Sequence, residues 1–181
     1  LMAHADEPFP DFFYSRHSMR QFSSQTVSIE DIRKAIKVAQ KAPTACNRQA
    51  TKVYMYSDEA TNRHLGELIA GNTGFDSEVK NYLVVTADVS AFYDTFERNQ
   101  VYVVAGLFSM ALVEALHYYG IGSCILQNGE YKKKNKQFKD ICKNIPENER
   151  IILFVAVGYY KDKFSYAVSL RKRVEDIFIV K

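Results

Sequence analysis

The chain has 181 residues, of which 47% are hydrophobic and 25% are charged. This length and composition predict one globular domain over residues 1–181 and exclude a disordered or low-complexity chain. The net charge of +3, from 24 basic and 21 acidic residues, is far below that of a dedicated nucleic-acid-binding protein, so we expect no nucleic-acid partner.

The cysteines and the apolar segments indicate where the protein works. Cys46, Cys124 and Cys142 have no C-x-x-C spacing, so neither a disulfide framework nor a zinc site is indicated, and a reducing cytoplasm is the simplest location. The first ten residues lack the basic start and apolar core of a signal peptide. No run approaches the roughly 18 consecutive apolar residues that suggest a membrane span, so we expect no membrane partner.

Helical and extended patterns alternate along the chain. A short helix is expected to end at residues 11–14, and Ser28 with Asp31 resembles a capping box for a helix that runs to about Lys41. Apolar periodicity, with glycines and prolines at the ends, predicts a strand at 52–57, a helix at 58–69, a strand at 81–87, a helix at 99–119, a short extended piece at 124–126, a helix at 133–142 and a strand at 151–159. The helix at 99–119 is apolar on most sides, so we expect it to be central and buried nearly all round. The alternation predicts a mixed α/β or α+β sandwich.

Two arginines flank a serine in the RHSMRQF segment, residues 16–22. If the backbone is extended, Arg16, Ser18 and Arg20 project from the same side. A guanidinium presents a planar fork of donors that suits phosphate, and the hydroxyl adds another donor. Two arginines taken alone are more often a solvated surface, but the basic residues 171–173 could close over the same anion.

Neither a G-x-G-x-x-G sequence nor a P-loop occurs in the chain, so side chains must hold any phosphate ligand. The APTACNRQ segment, residues 42–49, has two interpretations. It can be a loop that ends a helix, because proline and asparagine are frequent there. It can also form a wall for a flat ring, because Thr44 and Ala45 are small and Asn47 offers a donor and an acceptor.

Four segments in order, RHSMRQF, APTACNRQ, HYYGIGSCI and SLRKRVEDIF, resemble the nitroreductase family of FMN-dependent oxidoreductases. The resemblance implies an α+β fold in which a central, mostly antiparallel sheet is flanked by helices. It implies a homodimer with the flavin at the subunit interface. It also implies a ping-pong reaction in which NADH or NADPH delivers a hydride to flavin N5, and a nitroaromatic, quinone or similar small molecule accepts the electrons. No catalytic side chain is expected.

The resemblance also assigns individual residues to parts of the flavin. The phosphate and ribityl end is assigned to Arg16, His17, Ser18 and Arg20, with Arg171 closing over the phosphate. The loop that packs on the flavin from the partner subunit is assigned to Pro43, Thr44 and Ala45, with Asn47 nearby. The ring is assigned to Ile125, Leu126, Gln127 and Asn128, where a backbone N–H can bond N5. Asn72 is a candidate for the pyrimidine edge, and equally an ordinary turn asparagine.

Some features depart from the family pattern. Val103, Val104 and Ala105 stand where related helices often carry an acidic residue, and Ala50 and Thr51 replace a common proline and aromatic. Two other functions stay open: a flavin-binding protein on the same fold without nicotinamide turnover, and an anion-binding or nucleic-acid-binding module that uses the two basic clusters. The sequence predicts structural roles for His64 and His117.

Overall fold

A computed structural model describes residues 8–128 and 132–181. Within these ranges the helices are α1 (Phe9–Ser15), α2 (Ile29–Ala39), α3 (Glu59–Leu68), α4 (Gln100–Tyr118) and α5 (Lys132–Ile141). The strands are β1 (Thr51–Tyr56), β2 (Asn81–Asp88), β3 (Ile121–Gln127) and β4 (Glu149–Tyr159). Each predicted helix and strand is present, and the boundaries differ by at most three residues.

The four strands form one antiparallel sheet in the order β1-β2-β4-β3. The central strands β2 and β4 are buried over most of their length, as their continuous apolar runs indicate. The register between them shifts at Val85 and Thr86, where β2 is irregular. The prediction of an α+β fold with an antiparallel sheet flanked by helices is confirmed.

Helices cover both faces of this sheet. One apolar cluster joins α2 and α4 to the face that carries Leu83, Val85 and Val155. The second cluster, on the opposite face, contains Leu65 of α3 and Phe138 of α5. The two layers leave the outer edge of β3 at one side of the molecule.

Helix α4 is central but not buried all round. Its sheet-facing side includes Val104, Leu112 and Leu116, which are buried. Three apolar side chains on another side are exposed, namely Val103, Leu107 and Met110 at 49%, 45% and 39%. The expectation of burial nearly all round is therefore wrong, because the described residues supply no partner for this stripe. Residues 95–118 are long and apolar enough to cross a membrane, but 56% of their most apolar stretch is buried inside the fold, as in a core helix.

The first residue of β4, Glu149, is a buried acidic residue, so apolar periodicity does not identify it as part of the strand. The carboxylate of Glu149 is 1% exposed and accepts hydrogen bonds from Lys52 Nζ at 2.5 Å, Tyr54 OH at 2.9 Å and Thr86 Oγ1 at 2.6 Å. Burial alone would raise the pKa of Glu149, but these hydrogen bonds outweigh it and lower the pKa. The Glu149 carboxylate thus connects β4 to β1 and β2. Glu149 itself lies before the predicted start of this strand at residue 151.

Candidate functional site

The RHSMRQF segment lies along the outer edge of the sheet. Ser18 forms a parallel bridge with Ser123 of β3, and the amide of Met19 donates to the Ser123 carbonyl at 2.9 Å. Further on, Phe22 bridges to Tyr160 at the end of β4, and the Phe22 amide donates to Glu78 Oε2 at 3.1 Å. The segment therefore pairs with the sheet at two points, and it crosses from β3 to the residue that follows β4. That Arg16, Ser18 and Arg20 project from one side stays a prediction.

A pair of glycines forms the floor under this segment. Gly122 and Gly158 face each other in the register of β3 and β4. A Cβ on Gly122 would lie 3.1 Å from Met19 Cγ, and a Cβ on Gly158 would lie 2.7 Å from three atoms of Phe22. Met19 and Phe22 are 1% and 3% exposed. The bare backbone of two strands therefore admits both apolar side chains, which fixes the polar residues between and around them.

The two arginines of the segment have different surroundings. The Nε atom of Arg16 lies 3.0 Å from Glu114 Oε1 on α4, without the geometry of a hydrogen bond. Arg20 is exposed, and it has no ion-pair partner among the described residues. Burial raises the pKa of the Cys124 thiol, and the positive charges of Arg20 and Arg16 oppose this shift. Both guanidinium groups therefore lie within electrostatic reach of β3.

His17 lies under a ring from the C-terminal part of the chain. Its imidazole stacks on Tyr166 with the ring centres 3.7 Å apart and the planes 13° apart. Desolvation, and secondarily the charge of Arg16, lowers the pKa of His17, which favours the neutral imidazole. A cavity of about 360 Å³ adjoins this stack and is lined by Ser15, Met19, His117, Gly120, Tyr160 and Phe164 together with both stacked rings.

A chain of hydrogen bonds fixes the residue before Arg16. The Ser15 hydroxyl donates to the Phe12 carbonyl at 2.8 Å and lies 2.8 Å from His117 Nε2, while His117 Nδ1 lies 2.9 Å from Tyr160 OH. Because the hydroxyl proton is used, a neutral His117 carries its proton on Nε2 and accepts from Tyr160. Burial raises the pKa of Tyr160 to about 12, against the opposing charge of Arg16. The end of α1 is thereby tied to α4 and β4.

The edge of β3 beyond the Ser18 bridge is open. The carbonyl of Ser123 points away from β4, because it accepts from Met19. Backbone groups alternate between the two edges of a strand, so the N–H and C=O of Ile125 also point outward. They make no backbone hydrogen bond within residues 8–128 and 132–181. The Ile125 side chain is 42% exposed, whereas Leu126 is buried on the opposite face. An apolar surface and an open amide thus lie next to two arginines.

The family model described as "Nitroreductase family" matches residues 14–159. The chain belongs to the nitroreductase family. It is therefore an oxidoreductase, and the resemblance carried by the four sequence segments is confirmed.

Relatives of this nitroreductase agree in length and fold. A protein of Archaeoglobus fulgidus that carries the name NADH dehydrogenase/NAD(P)H nitroreductase is 28% identical over 156 residues, covering 83% of this chain and 84% of that protein. A nitroreductase family protein from Streptococcus pneumoniae has a TM-score of 0.83 at 23% identity, with 96% and 100% of the two chains covered. A nitroreductase from Desulfovibrio desulfuricans, solved in complex with FMN, has a TM-score of 0.80 at 18% identity, with 97% and 98% covered.

The loop assigned to the partner's flavin has an unusual backbone in this nitroreductase. Cys46, Asn47 and Gln49 all have positive φ, at 51°, 54° and 51°, a region that costs a residue other than glycine about 1–2 kcal/mol. Arg48 anchors the loop through a 2.6 Å contact with Glu97 Oε1 and lies 5.2 Å from the centre of the Tyr93 ring. The fold therefore holds the loop in one strained conformation.

The surface of that loop is available to a second molecule. Pro43 and Asn47 are exposed, and Thr44 and Ala45 are partly exposed. Their backbone hydrogen bonds stay within the loop, and none joins them to the RHSMRQF segment. Their assignment to the partner's flavin stays a prediction.

Three other assigned residues are engaged elsewhere in the chain. The Asn72 amide is buried and donates to the Gly66 carbonyl at 2.7 Å, so the structure gives it a role inside the loop it belongs to. The Asn128 amide donates to the Ile151 carbonyl at 2.9 Å, which leaves only its backbone near the open edge. Arg171 donates to the Ser169 carbonyl at 2.7 Å in an exposed segment. Gln127 is exposed beyond Ile125.

Several residues that shape the site are not predicted by the sequence. In the sequence, Glu114 is the one charged residue in a largely apolar helix. Gly122 and Gly158 are single glycines within apolar strands, a feature that often marks the close approach of another backbone. Tyr166 gives no signal, because its partner His17 is about 150 residues away and nothing in the sequence indicates that pairing.

Proposed function

We propose that this nitroreductase is an FMN-dependent NAD(P)H oxidoreductase that acts on nitroaromatic, quinone or similar small acceptors. The observation that carries the proposal is the pairing of Ser18 with Ser123. This pairing sets two arginines beside a strand edge where the next outward N–H, that of Ile125, makes no backbone hydrogen bond within the described residues, while the Ile125 carbonyl accepts from the Cys124 thiol at 3.8 Å. One end of the site suits a phosphate and the other suits a flat ring.

The donor chemistry of the residues fits a phosphate monoester. Arg20 is exposed, and no ion pair with another described residue satisfies it. Arg16 uses Nε toward Glu114, so its two terminal nitrogens stay available. Phosphate binds guanidinium groups through such parallel donors. We assign the phosphate to Arg16, Ser18 and Arg20, with His17 beside them and Arg171 closing over it from the C-terminal segment.

The open edge of β3 fits the isoalloxazine ring. Ile125 offers an apolar contact for a flat ring, and its outward N–H offers a donor to a ring nitrogen. Leu126, Gln127 and Asn128 continue this edge. The loop of Pro43, Thr44, Ala45 and Asn47 is assigned to the ring of the partner subunit, and Asn72 keeps its assignment to the pyrimidine edge only if its present hydrogen bond to Gly66 is exchanged.

The chemistry that FMN supplies when bound is hydride transfer from NADH or NADPH to the acceptor. The chain's own residues hold the phosphate, orient the ring against β3 and limit the access of water to one face. The positive charges of Arg16 and Arg20 anchor the cofactor far from the reacting atoms. No side chain is assigned to bond making.

The assembly we propose is a homodimer with a flavin at each end of the interface. The α4 stripe of Val103, Leu107 and Met110 is exposed. An apolar groove of about 540 Å³ lies beside it between α1, α2 and α4, and the C-terminal residues 177–180 are 67–79% exposed although all four are apolar. Soluble monomers rarely leave large apolar surfaces in water. A second copy of the chain would cover it.

The visible absorption spectrum of the purified protein tests the function. We expect a yellow protein that is bleached by NADH or NADPH without oxygen and recovers its colour when a quinone or nitroaromatic is added. Yellow protein that neither nicotinamide reduces would favour a flavin-binding protein with another reaction. Colourless protein that takes up no added FMN would refute the proposal.

The phosphate assignment is tested with two exposed arginines. Arg20→Ala removes a charge-assisted contact and should weaken FMN binding about tenfold or more. Arg33→Ala removes an equally exposed arginine on α2 and should leave FMN binding unchanged. FMN affinity can be measured by quenching of flavin fluorescence. Equal affinities of the two variants would contradict the assignment.

A further inference from the structure

Two polar side chains of α4 face the start of the RHSMRQF segment. Glu114 and His117 are three residues apart, so they share one side of the helix. Glu114 contacts Arg16 Nε at 3.0 Å, and His117 contacts Ser15 Oγ at 2.8 Å. An otherwise apolar helix thus contacts two consecutive residues at the point where α1 ends and the phosphate-binding segment begins.

The way Glu114 meets Arg16 matters for the ligand. A guanidinium group has one N–H on Nε and two NH₂ groups. The carboxylate lies against Nε, and neither terminal nitrogen makes a hydrogen bond with another described residue, so these two groups are left for a second anion. We propose that Glu114 is a positioning residue that holds Arg16 ready for the phosphate of the flavin. This inference rests on the proposed function, because it names a role at that same site.

The surroundings of Glu114 offer little stabilisation to a charged carboxylate apart from Arg16. Its side chain is 14% exposed, that of Arg16 is 19% exposed, and neither carboxylate oxygen has a hydrogen-bond partner among the described residues. Burial raises the pKa of Glu114, and the nearby charge of Arg16 opposes this. Helix α4 gains nothing from a desolvated carboxylate. Its one described favourable partner is Arg16, and fixing that long side chain before binding lowers the entropy lost on binding.

The division of work between the two arginines follows from this contact. The charge of Arg16 is balanced by Glu114, so Arg16 mainly orients the phosphate. Arg20 has no partner among the described residues, so its positive charge attracts the phosphate. Removing the Glu114 charge should therefore weaken FMN binding although it removes a negative group near a dianion. This sign is opposite to the one simple repulsion predicts, which makes the proposal testable.

The experiment compares FMN with riboflavin, which lacks the phosphate. Glu114→Gln should weaken FMN binding about threefold to tenfold, which corresponds to ordering one long side chain at the moment of binding. Riboflavin affinity should stay unchanged. Glu67→Gln is the matched control, because Glu67 is 65% exposed on α3 and contacts His64 of the same helix. It should change neither affinity.

Two further variants sharpen the test, and the first of them also serves if the glutamine variant is poorly folded. Glu114→Asp retains the charge but shortens the reach, so it should weaken FMN binding as the glutamine variant does. In an Arg16→Ala background, Glu114→Gln should have no further effect on FMN affinity, because the residue acts through Arg16.

The proposal is overturned by unchanged or tighter FMN binding of Glu114→Gln, by equal losses for FMN and riboflavin, or by additive effects in the Arg16→Ala background. Failure of the proposed function looks different. If the protein binds no flavin, the unsubstituted chain takes up neither FMN nor riboflavin, and if it binds flavin without nicotinamide turnover, the unsubstituted chain is yellow but is not bleached by NADH or NADPH. Weak FMN binding by Arg16→Ala together with normal binding by Glu114→Gln would remove only the positioning role.

Discussion

Substitution of Gly158 by alanine should disturb the RHSMRQF segment more than any substitution of its own side chains. The new Cβ would lie 2.7 Å from Cβ, Cγ and Cδ1 of Phe22, against ordinary carbon contacts of about 3.5–4.0 Å. Because one of these atoms is the Phe22 Cβ, rotating the ring cannot relieve the overlap. The segment itself must move away from β4.

The size of the effect follows from packing costs. Inserting a methylene into a well-packed core costs about 1–3 kcal/mol. A loss of about 2 kcal/mol lowers the melting temperature of a protein of this size by about 4–8 °C. FMN binding should weaken as well, since Phe22 is two residues from Arg20. Thermal unfolding and the FMN titration measure the two effects.

Two other glycines provide a graded control. A Cβ on Gly122 would lie 3.1 Å from Met19 Cγ, 3.2 Å from Met19 Cβ and 3.3 Å from the Gly158 carbonyl oxygen. These overlaps are smaller than the 2.7 Å contacts at Gly158, so Gly122→Ala should cost less than Gly158→Ala. A Cβ on Gly106 in α4 would meet nothing within 4 Å, so Gly106→Ala should be neutral or gain up to about 1 kcal/mol of helix stability. Equal stability of the Gly158 and Gly106 variants would refute the packing argument.

Two further predictions concern stability away from the phosphate-binding segment. Glu149→Gln should cost about 2 kcal/mol of unfolding free energy, because it breaks a buried charge-assisted network. The folded pKa of Glu149 is lowered, so the stability it contributes is present above its ordinary value of 4.5 and is lost as the pH falls through the folded pKa. The unfolding free energy can be measured by urea unfolding from about pH 3 to about pH 7. It should depend less on pH in the glutamine variant than in the unsubstituted protein. Parallel pH profiles would contradict the role of the Glu149 charge. Cys46→Gly should stabilise the protein by about 0.5–1 kcal/mol, because glycine accepts the positive φ without strain. The control Ala45→Gly should destabilise the protein. A loss of stability in both variants would show that the backbone of the loop is unstrained.

Local patterns predict most of the fold. The periodicity that identifies α2 and the continuous apolar runs of β2 and β4 depend on burial against one neighbouring layer, which the sequence records directly. The strand order depends on contacts between distant segments, and apolar periodicity holds no information about them. The predicted start of β4 is two residues late for a related reason, since Glu149 is buried only because Lys52, Tyr54 and Thr86 converge on it.

The candidate site divides in the same way. The lack of helical periodicity in the RHSMRQF segment is a local property of the sequence, and the outward direction of Ile125 follows from strand alternation once β3 is known. The contact of Glu114 with Arg16 joins residues about a hundred positions apart, so only the folded chain shows it. The neighbouring glycines predict that Asn72 lies in a turn, and the structure agrees. They cannot predict that its amide donates to the Gly66 carbonyl, because that bond depends on the folded loop.

The glycine pair also sets the order of events during protein synthesis. The RHSMRQF segment leaves the ribosome early, but Gly158 follows Phe22 by 136 positions in the chain. At about 5–20 residues per second, roughly 7–27 seconds pass before the floor under Met19 and Phe22 exists. Until then Phe22 has no place to pack, and the residues that we assign to the phosphate have no fixed arrangement. If the chain binds FMN as we propose, uptake of the cofactor must follow the pairing of β3 and β4.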